Sequence, residues 1–272
     1  MNAERSVFVE RDFYGPLELA SANENRSDRY IMLHPNDPTK LVRAGGGGTY
    51  LDKEEMNERV GDTLQVLKGL SEHGVAHVKP SYIDETSESG QPYLITVVDK
   101  LDNIRPYDEI IASPELNAEQ IEEADLAISH MLSYAAQTIR EGGYIDPEMM
   151  HLDQFVYDVS RPEGERMVLV DVEAIGAFKV DSTADSMKNG FPTALVRTVA
   201  ELCVDIINLA NRSEHLPASL PAAVTIIEAL PGESPETNEA KMALLYALDT
   251  NEISPEIANL ANGVMMDDKD DW

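Results

Sequence analysis

The sequence predicts an α+β protein built as two lobes, β-rich first and helical second. Three observations predict it. Short β-like runs crowd residues 1–102 and enclose a single long helical pattern. From 103 to 272, apolar residues recur at spacings of three and four. Within that helical half stands a hairpin of its own, QFVYD and MVLVD around a charged turn. Runs of strands followed by runs of helices make an α+β arrangement. A chain of 272 residues is long enough for two separate cores. The predicted hinge is Lys100–Glu109, where strand patterns give way to helical ones.

In chain order, Gly15–Ser21 reads as a strand, followed by the polar stretch Asn23–Asp28. Arg29–Pro35 and Thr39–Gly45 flank Asn36-Asp37-Pro38, turn residues between two β-rich runs, and so predict a hairpin. Gly45–Gly48 lacks the remainder of a phosphate-loop pattern and reads as a flexible link. From Leu51 to Glu72, Val60, Leu64 and Leu67 mark a helix whose first turns carry Glu54, Glu55 and Glu58, where the helix dipole favours anions. Ala76–Asp84 and Pro92–Lys100 read as two strands around the turn SESGQ.

In the second half, Ala118–Arg140 places Ile128, Met131, Leu132, Ala135 and Ile139 on one stripe and stops at Gly142-Gly143. Thr193–Asn211 places Leu195, Val199, Leu202, Ile206 and Leu209 on one face. Ser234-Pro235-Glu236 and Ser254-Pro255-Glu256 are helix starts: cap residue, proline at the first position, acid in the first turn. The tail VMMDDKDDW reads as unstructured.

Composition narrows the function. The formal net charge of −29 repels nucleic acid and anionic lipid, and so excludes both as partners of the whole surface. The single cysteine, Cys203, sits in an apolar helical pattern and reads as core; it excludes a disulfide framework and a cysteine-rich metal site. No apolar run approaches the roughly 20 residues of a membrane span, and the N-terminus lacks a signal-peptide core. The expected location is the cytoplasm. His73 and His77 are four apart, but Gly74 and a strand pattern interrupt them, so they do not form a helical zinc pair.

The chemistry concentrates in Asp146–Gly176, DPEMMHLDQFVYDVSRPEGERMVLVDVEAIG, where two short apolar runs each end on an aspartate. The order of elements and these residues resemble the protein-kinase-like superfamily, which includes protein kinases and aminoglycoside phosphotransferases. The resemblance covers Gly15 to Asn211. The phosphotransferase branch carries a loop of the form HGDLHPGNFLY and then a hairpin ending in an aspartate-led triad. Pro147–Tyr157, PEMMHLDQFVY, aligns with that loop without gaps, and Asp171-Val172-Glu173 matches the triad.

The resemblance implies a bilobal kinase-like fold, ATP and Mg²⁺ as cofactors, and Asp171 with Gln154 as the metal ligands. Gln154 stands where the family has an asparagine, and His151 matches the loop's second histidine. Phosphoryl transfer needs Mg²⁺ on oxygen ligands and a carboxylate to accept the hydroxyl proton. The family's catalytic aspartate falls on Met149, whose thioether cannot accept a proton. Glu148, Asp146 or Asp153 would have to substitute. The family's strand lysine falls on Arg43, with Lys40 as the alternative register, and its helix partner on Glu54, Glu55 or Glu58, of which Glu58 lies deepest in the helix. The phosphate-covering loop falls on SANENRSDR, which has no glycine.

Loop, lysine and base are thus altered while the metal aspartate is kept. That pattern favours a regulatory or scaffolding pseudokinase with weak nucleotide binding. The alternative is an active phosphotransferase using Glu148 or Asp146 as base. Expected partners are a nucleotide, and a protein or a cationic small molecule drawn by the acidic surface.

Overall fold

The computed structural model describes residues 19–21, 30–44, 52–86, 90–112, 118–172, 177–180, 193–212, 217–230 and 235–261. The stretch Asn23–Asp28, the glycines 45–48, Glu173 and the tail from Val264 lie outside the described residues. The first half holds β1 (Leu19–Ser21), β2 (Tyr30–Leu33), β3 (Lys40–Ala44), the helix α1 (Lys53–Glu72), β4 (Ala76–His77), β5 (Ser81–Thr86) and β6 (Pro92–Asp99). The β2–β3 hairpin runs from Tyr30↔Ala44 to Leu33↔Leu41. Its turn is closed by His34, whose Nδ1 accepts from the backbone N–H groups of Asn36 and Asp37.

These strands form an antiparallel sheet in the order β1-β2-β3-β6-β5. Asp52 caps α1 by accepting from the N–H groups of Glu54 and Glu55. The helix packs on the sheet through Met56 and Val60, which meet Tyr82 and Leu94. Farther along, its Val66, Leu67 and Leu70 join the main core of the helical half. At its end Gly74 takes φ +89, and a Cβ there would meet the His130 ring at 2.8 Å. Glycine is required at this turn for both reasons.

Ala76–Asp84 is two strands, not one. Pro80 has no N–H to give a ladder, and the chain changes sheets around it. β5 stays in the first sheet, while β4 pairs in parallel with a strand of the second.

The second half comprises β7 (Ile104–Pro106), α2 (Tyr107–Ala112), α3 (Ala118–Glu141), β8 (Gly143–Ile145), 3₁₀ turns at Glu148–Met150 and Leu152–Gln154, β9 (Phe155–Asp158), β10 (Met167–Leu169) and β11 (Phe178–Val180). Then come α4 (Thr193–Ala210), α5 (Leu220–Ala229), α6 (Pro235–Thr250) and α7 (Pro255–Ala261). The predicted stripes of α3 and α4 are buried and share one core, with Cys203 fully inside it. α6 and α7 begin at the two Ser-Pro-Glu signals.

The second sheet has the order β4-β10-β9-β7, and β8 pairs with β11. Two buried carboxylates of α3 brace this half. Glu123 accepts from the N–H groups of Gly164 and Arg166 and so holds the β9–β10 turn. Asp125 accepts from Ala218 and Ser219 at the entry to α5. Among the described residues no helix is long and apolar enough to cross a membrane.

Candidate functional site

The site is built where β8 leaves α3 and the chain turns into the β9–β10 hairpin. Asp146, 2% exposed, closes β8. Its carboxylate accepts from the backbone N–H of Glu148 at 3.0 Å, in the manner of a cap on the first 3₁₀ turn. Burial pushes this carboxyl up to about 6; the N–H groups of Glu148 and Met149 hold it down, and the charges of Glu148 and Asp171 push it further up. Met149 and Met150 turn inward into the core, Met149 at 3% exposure. Glu148 faces solvent.

His151 ties the same loop to α4. Its Nδ1 is paired with Glu201, and its Nε2 lies 3.1 Å from the Thr198 hydroxyl. The same hydroxyl donates to the Pro147 carbonyl at 3.4 Å and so ties α4 to the loop a second time. Burial alone would lower the affinity of His151 for its second proton. The hydrogen bond and charge of Glu201 outweigh it, and the pKa stands above the ordinary value. Glu201 is held in turn by Arg197, whose Nε donates at 2.8 Å.

The hairpin pairs Met167↔Tyr157 through Leu169↔Phe155, and its two aspartates lie at opposite ends. Asp158 belongs to the turn, where it accepts from the Ser160 N–H and hydroxyl. Asp171 lies at the open end, beside Gln154, whose carbonyl accepts from Val170 N–H at 3.0 Å. The Asp171 carboxylate reaches across to the first sheet and accepts from Arg43 Nη1 at 3.0 Å. The side chains are 14% exposed for Arg43 and 18% for Asp171, so solvent screens this pair only partly. Next to it, the buried Tyr82 hydroxyl of β5 donates to the Val172 carbonyl at 2.9 Å, a second bond between the halves.

Arg43 sits on β3 opposite Thr96, in the middle of the sheet. Lys40, the alternative register, lies three residues back opposite Asp99, roughly 10 Å away along the strand. Glu58, the expected helix partner, is exposed on α1 near Asp62, whose carboxyl is raised by burial and by the Glu58 charge. Glu55 pairs with Arg59 on its own helix. The guanidinium therefore meets Asp171 directly, and the helix glutamates stay outside that pairing.

The element order decides the architecture: a five-stranded antiparallel sheet with α1 inserted after its third strand, a helical half, and a hairpin whose open end meets the cation of β3. The chain has a protein-kinase-like fold. No protein-family model matches it, and no curated protein does. Similar solved structures include WaaP in complex with acyl carrier protein, at 13% identity and TM-score 0.46, covering 90% of this chain and 89% of that one. The Drosophila melanogaster PAN3 pseudokinase aligns at 10% identity and TM-score 0.41, over 88% of this chain and 58% of that one. The Neurospora crassa PAN2 complex with PAN3 pseudokinase aligns at 14% identity and TM-score 0.36, over 87% and 58%.

The metal expected in this kinase-like fold meets an unfavourable donor set. Mg²⁺ takes oxygen ligands in near-octahedral geometry. Asp171 is already neutralised by Arg43. Gln154 turns its amide to Asp153, donating to Oδ1 at 2.7 Å. Among the described residues no group of three or more His, Cys, Asp or Glu side chains is placed to hold an ion. These residues, as arranged, do not fit a resident divalent cation.

A cleft of about 580 Å³ opens beside the loop, lined by Glu148, His151, Asp153, Gln154, Glu201 and Asp205 among others. Neither Asp171 nor Arg43 lines it, so the sequence-predicted residues divide. Glu148 and Gln154 belong to the acidic cleft, while Asp146, Asp171 and Arg43 lie outside it. Glu201 and Thr198 escaped the sequence reading. The one available signal was an Arg197–Glu201 pair at helical spacing inside an otherwise apolar pattern.

Proposed function

We propose that this chain is a regulatory or scaffolding pseudokinase of the cytoplasm, which holds ATP weakly and does not transfer its phosphoryl group. One observation carries the reading: Met149, at the position of the family's catalytic aspartate, is buried in the core. A thioether there neither accepts a proton nor reaches a substrate, and loss of a positioned base typically costs about 10²–10⁴-fold in rate. The partner is a protein or a small amine of positive charge, drawn by the net charge of −29 and by the acidic cleft along α4. Nucleic acid and membranes are excluded as partners by the same charge.

The test is ATP turnover by the full chain with protein and amine acceptors, compared with Asp171→Ala. The expected rate is the same in both. Turnover that disappears in Asp171→Ala sinks the proposal.

One observation favours a second reading, an active phosphotransferase. Asp146 lies near Asp171, and its carboxyl is pushed up to about 6, close to working pH for a general base. That reading requires Asp171-dependent turnover that is also lost in Asp146→Asn, or in Glu148→Gln if the exposed neighbour serves as base.

A further inference from the structure

We infer that the junction of α1 and α3 is a pH-sensitive latch: the His130 ring holds the turn that ends α1 and lets go of it when a second proton arrives. The parts come from both helices. α1 ends at His73, and the chain turns through Gly74 and Val75, whose N–H groups return to the carbonyls of Ser71 and Leu70. Against that turn lies the half-buried His130 ring, so close that a Cβ on Gly74 would stand 2.8 Å from it. His130 also hydrogen-bonds the Gly74 backbone. Ring and turn are thus one packed unit.

A second histidine stands beside the first, and its partners fix its charge. His73 directs Nδ1 to the Gly69 carbonyl at 2.8 Å and Nε2 to Gln137 Oε1 at 2.7 Å. Gln137 gives an N–H of its own to Glu141 Oε2 at 2.9 Å, which leaves the amide oxygen for His73. Both ring nitrogens of His73 therefore face acceptors, and only the doubly protonated ring serves both. A cation also suits the C-terminal end of a helix. The remaining charged and titratable groups do not answer to His130. Lys68 and Glu72 of α1 lie 3.8 Å apart as a pair, and His77 of β4 turns its Nδ1 to the Val78 carbonyl. Burial keeps the Tyr134 hydroxyl protonated, and it donates to the carbonyl of Tyr144 on β8.

A second positive charge next to His73 is unfavourable, and so is charging a ring that the turn shields from water. Burial first, and then the charge of His73, lower the pKa of His130 below 6.5; its bond to Gly74 works the other way and does not offset them. Once the turn opens, the ring regains its ordinary affinity for the proton. The hold on the turn is therefore whole above 6.5 and is lost as pH falls from there through the lowered value. Within that window the open form gains up to about tenfold per pH unit, the limit for one proton.

The experiment is hydrogen exchange of the full chain, wild type against His130→Asn, with rates corrected for the intrinsic pH dependence of amide exchange. Asparagine keeps an N–H donor near Gly74 and does not titrate. The ratio of protection at Gly74 and Val75, wild type over variant, should hold steady above 6.5 and fall below it, by up to about tenfold per pH unit. Should the variant fail to fold, the His130 ring protons of the wild type decide, followed by NMR. They should titrate with a midpoint below 6.5, and that midpoint should rise in His73→Gln. A ratio that does not change with pH, a His130 midpoint at or above 6.5, or a midpoint unmoved by His73→Gln overturns the inference.

Discussion

Glu201→Gln keeps the shape of the side chain and removes its charge, leaving His151 with a neutral partner inside the loop–α4 junction. The two side chains are 14% and 25% exposed, so the pair is worth more than a surface ion pair. A hydrogen bond to a charged group contributes about 1.5–3 kcal/mol, and the half-exposed Arg197 adds little to the loss. Taking about 2 kcal/mol, and about 2–4 °C per kcal/mol for a chain of this size, Tm should fall by about 4–8 °C.

The pH dependence has a definite sign. The pKa of His151 is raised above 6.5, so its contribution is whole below 6.5 and is lost as pH climbs through the raised value. Burial alone would lift Glu201, but the bonds from His151 and Arg197 hold it below 4.5. Its contribution is whole above 4.5 and is lost as pH falls through the lowered value. The gap between wild type and variant should therefore be widest between 4.5 and 6.5 and narrow on either side. Thermal melts of both proteins across that range measure it. A gap that stays constant with pH would refute the charged pairing and leave only a packing defect.

Glu123→Gln should cost about 1–3 kcal/mol in urea unfolding, because one amide oxygen cannot serve both the Gly164 and Arg166 N–H groups that the buried carboxylate accepts. Asp146→Asn keeps an acceptor for the 3₁₀ turn and removes a buried charge. With the carboxyl raised from 3.8 to about 6, it should stabilise by about 1–3 kcal/mol above pH 6, and the gain should vanish below 3.8. Equal stability of variant and wild type at alkaline pH in chemical denaturation would contradict the assignment. Gly74→Ala should lower stability by at least about 1–2 kcal/mol, since the positive φ disfavours any Cβ and the His130 ring must move as well. A melt unchanged from wild type would show that the turn relaxes freely.

The long elements were legible because their periodicity spans several turns. The stripes of α1, α3 and α4 run over 18 to 24 residues each, and every turn repeats the message. β7, β8 and β11 have three residues each and no periodicity to read; pairing with distant strands creates them. The split of Ala76–Asp84 was marked by Pro80; β5 joins the strand that follows it, but the sheet that β4 joins depends on a partner some ninety residues away.

At the site, a cation from the small half opposite the carboxylate that closes MVLVD was implied by the resemblance to the kinase-like family, whose strand lysine falls on Arg43. The direct bond between Arg43 and Asp171 was not, because the sequence offered α1 glutamates as nearer partners than a residue 128 positions on. Asp146 was read only as a substitute base, whereas its carboxylate caps the 3₁₀ turn, a role that the turn-initiating Asp-Pro pair could have signalled. Gln154 was read through Asp171, whereas its amide answers to the exposed carboxylate next door in sequence, Asp153.

The strands β4 and β7 are the two edges of the second sheet, and between them the chain runs out to β5 and β6 and comes back. The first sheet is thus joined to the second at two places, one on each side of the β9–β10 hairpin, about 14 Å apart by ordinary strand spacing. The end of α1 makes a third attachment, with Val66, Leu67 and Leu70 inside the core of the helical half. A body held at three places that are not in line has no free axis, so the halves can shift against each other only by repacking the end of α1.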